Sequence, residues 1–167
     1  MTIGPRLARK TDGPAVFALI WEAKDEIPLD PDFYNDINKK WISDFCKKGD
    51  VWVVEEDDSV IGAMVLSSNE VLYLVVCKSH RRQGVGRTLL GEAKCDGRWV
   101  RVKPTNVGMI QLLECEGFRH DPDHLRGSGW KVYRVQVSGL CEGAEAVGDR
   151  IGQRHGDGGD DRGWRIR

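Results

Sequence analysis

Three arginines and two glycines fall within one short run, Arg81-Arg82-Gln83-Gly84-Val85-Gly86-Arg87. The run follows an apolar stretch, Val71–Val76, and leads into a helix-like continuation through Leu89 and Leu90. Strand, basic glycine loop and helix start, in that order, suit an anion. Glycine lets the backbone come close, free N–H groups point at the ligand, and a helix N-terminus adds positive partial charge. Arg81, Arg82 and Arg87 add full charges. Two other phosphate loops are excluded by position. A dinucleotide GxGxxG needs glycine at 89, where the chain has Leu89; a Walker A loop needs glycine at 81 and lysine at 87.

The elements that must position this loop are readable from periodicity. A short strand is expected over Arg6–Lys10. A helix capped by Thr11 or Asp12 follows, with Pro14 in its first turn and Val16, Phe17, Ile20 and Trp21 at helical spacing. Pro28-Leu29-Asp30-Pro31 interrupts it. A second helix is expected over Asp36–Lys48, ended by Gly49. Val51–Glu55 and Val60–Leu66 read as a hairpin, with Gly62 at a bulge site. Glu70–Cys77 reads as a central strand covered on both faces. A helix from near Gly84 to about Asp96-Gly97, a strand over Trp99–Lys103, a helix over Asn106–Glu116 stopped by Gly117, and a last strand over Trp130–Val137 complete the order βααβββαβαβ. The fold class is α/β, an α+β mixed sheet.

Composition bounds the function. At 167 residues one domain is expected, 1–137, and from Ser138 onward the chain turns glycine-rich and charged. That segment, 138–167, cannot offset its ordering entropy by burial and is expected to be a disordered tail. The formal net charge of −1 gives no overall positive field for nucleic acid. Five cysteines, none in a CxxC pair, fit reduced thiols in the cytoplasm. The N-terminus has no apolar leader, and no run approaches a membrane span. His120 and His124 flank Asp121-Pro122-Asp123, but Pro122 prevents one helix from aligning them, so no metal is expected.

With these residues in view, the chain resembles the GCN5-related N-acetyltransferase (GNAT) superfamily. Arg81-Arg82-Gln83-Gly84-Val85-Gly86 matches the family's Arg/Gln-x-x-Gly-x-Gly/Ala acyl-CoA signature, and the strand ending Leu74-Val75-Val76-Cys77-Lys78 stands at the family's spacing from it. Asn106–Phe118 resembles the second family motif, an Asn-led helix closed by Gly-Phe. The resemblance covers Arg6–Val137 by element order and Glu70–Phe118 by motif. It implies a GNAT-like acyl-CoA N-acyltransferase fold, acetyl-CoA as co-substrate, and a small-molecule or protein amine as acceptor. Main-chain groups of Val76 and Lys78 would hold the pantetheine arm, and the Val76 N–H would face the oxyanion. Backbone N–H groups of Gln83–Arg87 (Gln83, Gly84, Val85, Gly86, Arg87) would hold the pyrophosphate. Arg81 and Arg82 would pair with phosphates, and Asn106 would cap its helix or contact the arm.

Transfer to an amine requires a neutral amine, hence a base. Glu70 is the candidate. By strand alternation it is expected to share a face with Leu72, Leu74 and Val76, leaving Tyr73 on the other face as the weaker candidate. The acidic stretch Asp25–Asp36 falls where the family contacts the acceptor and would favour a cationic amine. One departure stands out. Leu113 occupies the position where many members carry the tyrosine that protonates the leaving thiolate. Tyr133 could substitute or could simply pack. A catalytically weak or inactive CoA-binding regulatory domain is therefore the first alternative. A toxin-type enzyme acting on charged tRNA is another, against which the neutral charge speaks. Oligomeric state, including a homodimer, stays open.

Overall fold

The computed structural model describes residues 4–27, 29, 31–94, 98–124 and 129–135. The stretch expected to be a tail, 138–167, lies outside the described residues. Among the described residues seven strands form one sheet in the order β1-β2-β3-β4-β5-β7-β6. They are β1 (Arg6–Leu7), β2 (Val51–Glu56), β3 (Ser59–Ser67), β4 (Glu70–Val76), β5 (Trp99–Val102), β6 (Phe118–His120) and β7 (Lys131–Val135). Four helices among the described residues cover it: α1 (Gly13–Glu22), α2 (Asp36–Lys48), α3 (Val85–Lys94) and α4 (Val107–Cys115). The mixed α/β class and element order agree with the sequence reading, with one addition. Phe118–His120, which the sequence assigns to no element, pairs with β7. Its three residues carry no alternation a sequence could display; their strand conformation comes from pairing Arg119 against Arg134.

Each face of the sheet carries its own core. α1 and α2 pack Val16, Phe17, Ile20 and Ile42 against Val53, Val65 and Val75. On the other face, Leu89, Leu90, Leu113 and Phe118 pack against Met64, Val71 and Val100. Burial on both faces explains the near-continuous apolar run of β3. At Gly62 α3 packs directly on the strand backbone. A Cβ there would stand 2.6 Å from Val85 Cγ1. The β2–β3 register also shifts beside it, leaving Ile61 as the extra residue.

Helix ends follow local chemistry. Asn35 caps α2 by accepting from the Asn38 N–H at 2.8 Å, and Gly49 closes it in the left-handed region at φ +79°. α1 ends at Glu22, before the proline-containing segment, and a turn runs from Ala23 to Ile27.

Candidate acyl-CoA cleft

Among the described strands all pairs are antiparallel except β4 and β5, and that pair is short. Only Glu70↔Trp99 and Val71↔Val100 are in register. Beyond Val71 the two strands part, and a cleft of ≈ 860 Å³ opens between β4, α3, α4 and the turn after α1. The parting exposes main chain in a definite pattern. The Cys77 N–H donates to Ile61 O at 2.8 Å, so in the antiparallel ladder the intervening residues Val76 and Leu74 turn their N–H and C=O groups away from β3, toward the fork. Such a strand edge inside a cleft calls for an extended ligand with amides of its own. The pantetheine arm of coenzyme A, with its two amide groups, is of that kind.

The anion loop sits at the mouth of this cleft. After β4 the chain makes a 3-10 turn, Lys78–His80, and then passes through two left-handed residues, Arg82 at φ +64° and Gly84 at φ +88°. The turn brings the chain into α3, whose first hydrogen bond runs from the Thr88 N–H to Gly84 O at 2.9 Å. The N–H groups of Val85, Gly86 and Arg87 precede that bond and are the free donors of the helix N-terminus. Gly86 keeps the approach clear: a Cβ there would meet Leu112 Cδ2 at 3.3 Å. These features fit a pyrophosphate group. Gln83 braces the loop by donating to Ser79 O at 3.0 Å. Arg82 is exposed and has no side-chain partner among the described residues, while Arg87 pairs with Glu116 at 2.6 Å yet stays largely in solvent.

Arg81 is held differently from the phosphate-pairing role expected for it. Its Nε donates to Val76 O at 3.1 Å, and its Nη1 reaches both Glu26 oxygens at 2.9 and 3.0 Å. Glu26, from the turn after α1, also accepts at its main-chain oxygen from Asn106 Nδ2, at 3.3 Å. One residue thus ties the end of β4 to the start of α4 across the cleft. Asn106 is the N-cap of α4, accepting from the Met109 N–H at 3.1 Å.

The other end of the fork holds the titratable groups. Glu70 stands where β4 and β5 are still paired, and Arg101 Nε donates to its Oε1 at 2.7 Å. Burial holds the Glu70 carboxyl above its usual range; the Arg101 charge opposes this only in part. The face expected for Glu70 needs correcting. The β3–β4 register shifts so that Val65 faces Tyr73 and Leu66 faces Val71, leaving Leu72 as an extra residue. Leu72 and Tyr73 both pack toward the α1/α2 face, while Val71 and Leu74 pack toward α3 and α4. The bulge breaks strict alternation. Glu70 therefore shares its side of the sheet with Tyr73, not with Leu74 and Val76.

The chain has three tyrosines. Tyr133 is buried in the α3/α4 core, its hydroxyl donating to Glu114 Oε1 at 3.4 Å, so it packs. Tyr34 lies exposed in an aromatic group with Phe17 and Trp21. Tyr73 lines the base of the fork together with Leu72, Arg101 and Ile27, and burial raises its phenol, keeping it protonated. Leu113 is fully buried in the core. Of the neighbouring α4 positions, Met109, Gln111, Leu112 and Cys115 line the cleft. Sequence reasoning missed Glu26 as a clasp and Arg101 as the partner of Glu70. The acidic run Asp25–Asp36 was the only signal for the first, and strand pairing across 31 positions gave none for the second.

His124 Nδ1 meets Arg134 at 2.8 Å, and the His120 ring lies tilted against Tyr133, with centroids 5.5 Å apart. Among the described residues no group of three or more His, Cys, Asp and Glu is placed to hold a metal ion. Among them, too, no helix is long and apolar enough to cross a membrane.

A fold whose central parallel pair parts beside a helix N-terminus defines a class, and two comparisons bear that class out. Residues 47–120 match the family model described as acetyltransferase (GNAT) domain. Solved structures of similar fold include a GNAT-family acetyltransferase from Bacillus cereus, at 16% identity and TM-score 0.62, over 80% of this chain and 96% of that one. Diaminobutyrate acetyltransferase EctA from Paenibacillus lautus, solved with L-2,4-diaminobutyric acid and coenzyme A, is 16% identical at TM-score 0.62, over 78% and 92%. Salmonella typhimurium yncA, solved with its cofactor acetyl-CoA, is 20% identical at TM-score 0.62, over 80% and 91%. No curated protein matches the sequence. The fold is thus that of the GNAT acetyltransferases, and the resemblance carried by Arg81–Gly86 and Asn106–Phe118 holds.

Proposed function

We propose that residues 1–137 form an acetyl-CoA-dependent N-acetyltransferase domain that moves an acetyl group to a primary amine by direct attack in a ternary complex. The observation that carries this reading is the parted β4–β5 pair, opening beside the free N–H groups of Val85, Gly86 and Arg87. The similar folds solved with coenzyme A or acetyl-CoA support it. Acetyl-CoA supplies an acyl thioester, already activated toward an amine.

The chain's own residues do the rest. Main-chain groups of Val76 and Lys78 hold the pantetheine arm, and the Val76 N–H donates to the acyl carbonyl oxygen as negative charge develops there. The N–H groups of Gln83–Arg87 and the Arg82 side chain hold phosphate, with Arg81 joining once it leaves Glu26. Glu70 takes the amine proton, directly or through water, and Arg101 keeps it oriented. Tyr73 replaces the phenol that Leu113 lacks and gives a proton to the departing thiolate. Asp25 and Glu26, which line the cleft, favour a cationic acceptor.

The buried Leu113 favours a second reading, a regulatory domain that binds CoA without turnover. Thiol release from acetyl-CoA, measured against a panel of primary amines and diamines, separates the two. The first reading expects release that depends on the amine. Saturable CoA binding with no release for any amine would favour the second.

A further inference from the structure

Immediately after β4, beside the Val76 and Lys78 main chain and with His80 lining the same cleft, four side chains that acyl transfer does not use form a line. Cys77 Sγ lies 3.3 Å from Ser79 Oγ, Ser79 Oγ lies 2.8 Å from His80 Nδ1, and His80 Nε2 lies 2.9 Å from Glu56 Oε2. The direction of the line follows from its chemistry. A carboxylate only accepts, so His80 Nε2 carries the hydrogen given to Glu56. In the neutral ring Nδ1 must then accept, and the Ser79 hydroxyl donates to it. That leaves the Ser79 oxygen to accept from the Cys77 thiol. A nucleophile, a base reached through a hydroxyl, and an acid that orients the base stand in order.

We infer that Cys77 is an activated thiol that exchanges with small-molecule disulfides, with Ser79 and His80 carrying its proton and Glu56 steadying the imidazolium. The proton passes from Sγ to Ser79 as the Ser79 proton passes to His80 Nδ1, leaving a thiolate beside a cationic ring. The thiolate attacks one sulfur of the disulfide. A Cys77–sulfur bond forms, the original S–S bond breaks, and the leaving thiolate takes the proton held on His80. Cys77 is oxidised to the mixed disulfide and the leaving sulfur is reduced.

The surroundings agree. Cys77 is held below the usual thiol range, first by Ser79 and then by His80. His80 is raised by Cys77 and, after an opposing desolvation, by Glu56. The opposing charge that faces the thiol is Glu22, from the end of α1. The contrast lies within the same chain. Cys46 is buried and pushed up to about 11, whereas Cys115 is exposed and has no such relay among the described residues. The inference does not rest on acyl transfer.

The test uses the full chain with 4,4′-dithiodipyridine. Release of thiopyridone is followed from about pH 5.5 to about pH 9, and the modified peptides are identified by mass. Cys77 should react before Cys115, roughly tenfold faster near pH 6, where thiolate fraction outweighs the lower nucleophilicity of an acidic thiol. Ser79→Ala and His80→Gln should slow the Cys77 phase at pH 6 and leave it little changed at pH 9. Glu56→Gln, at the exposed end of the line, gives the same reading should either of those fail to fold. Glutathione disulfide should then form its mixed disulfide at Cys77 before Cys115. Equal rates for Cys77 and Cys115, or a Cys77 pH profile that none of the three changes moves, would overturn the inference.

Discussion

Glu70 and Arg101 meet at 2.7 Å across the one parallel pair among the described strands, and their pairing decides what Glu70 can do. An ion pair holds the carboxylate in one place; burial keeps it above its ordinary 4.5. As a base Glu70 works only when ionised, so activity should fall as pH drops through a limb lying above 4.5. Arg101→Gln removes the opposing positive charge and should move that limb upward; an unmoved limb would take Glu70 out of the mechanism. Glu70→Gln should lower kcat by about 10²-fold or more while leaving CoA binding intact, as measured by thiol release alongside a thermal shift. Glu70 was legible as a candidate from its place at the start of an apolar strand. Its neighbours were not. An extra residue at Leu72 reverses the alternation behind it, and nothing in VLYLVV announces which residue is extra.

At the scale of elements, the loop between β4 and α3 was legible in the sequence because glycine, arginine and apolar run each leave a compositional mark. The turn after α1 was not, since Glu26 there is one acidic residue among several. Its clasp on Arg81 and Asn106 exists only once α1, β4 and α4 have been brought together. On the proposed reading, the Glu26 carboxylate competes with phosphate for Arg81. Glu26→Gln should therefore tighten CoA binding several-fold in calorimetry, and weaker binding would mean that the clasp helps to build the site. The close approach of α3 to β3 is also testable. Gly62→Ala puts a methyl 2.6 Å from Val85 Cγ1 and should cost about 1–3 kcal/mol in urea unfolding.

For the whole molecule, acid groups tie distant parts of the chain together. Asp12 is held below its ordinary 3.8 chiefly by Arg6, which also pairs with Glu55. Glu116 at the end of α4 is held below 4.5 chiefly by Lys94, with Arg87 adding to it. Both folded-state values are depressed, so their contribution is full above the ordinary values and is lost as pH falls through the folded ones. Urea midpoints should drop between about pH 5 and pH 3, and Glu116→Gln should flatten part of that fall. A midpoint independent of pH in this window would show the pairs to be without effect. The order of strands and helices was legible throughout because both faces of the sheet are buried and each element declares its period. β6 was the exception, its three residues made a strand by β7 alone.

The central claim is that the parted β4–β5 pair and the N-terminus of α3 together hold coenzyme A. Thermal unfolding with and without CoA tests it most directly, with Gly86→Glu as the control. The carboxylate introduced there would fall among the donors of the helix N-terminus and repel phosphate. At a ligand concentration about a hundredfold above Kd, native-state binding is worth about 2.7 kcal/mol, or a rise of roughly 5–10 °C for a chain of this size. The wild-type chain should show that rise and Gly86→Glu should lose it while still folding. No rise in the wild-type chain at saturating CoA, or an equal rise in Gly86→Glu, would contradict the account.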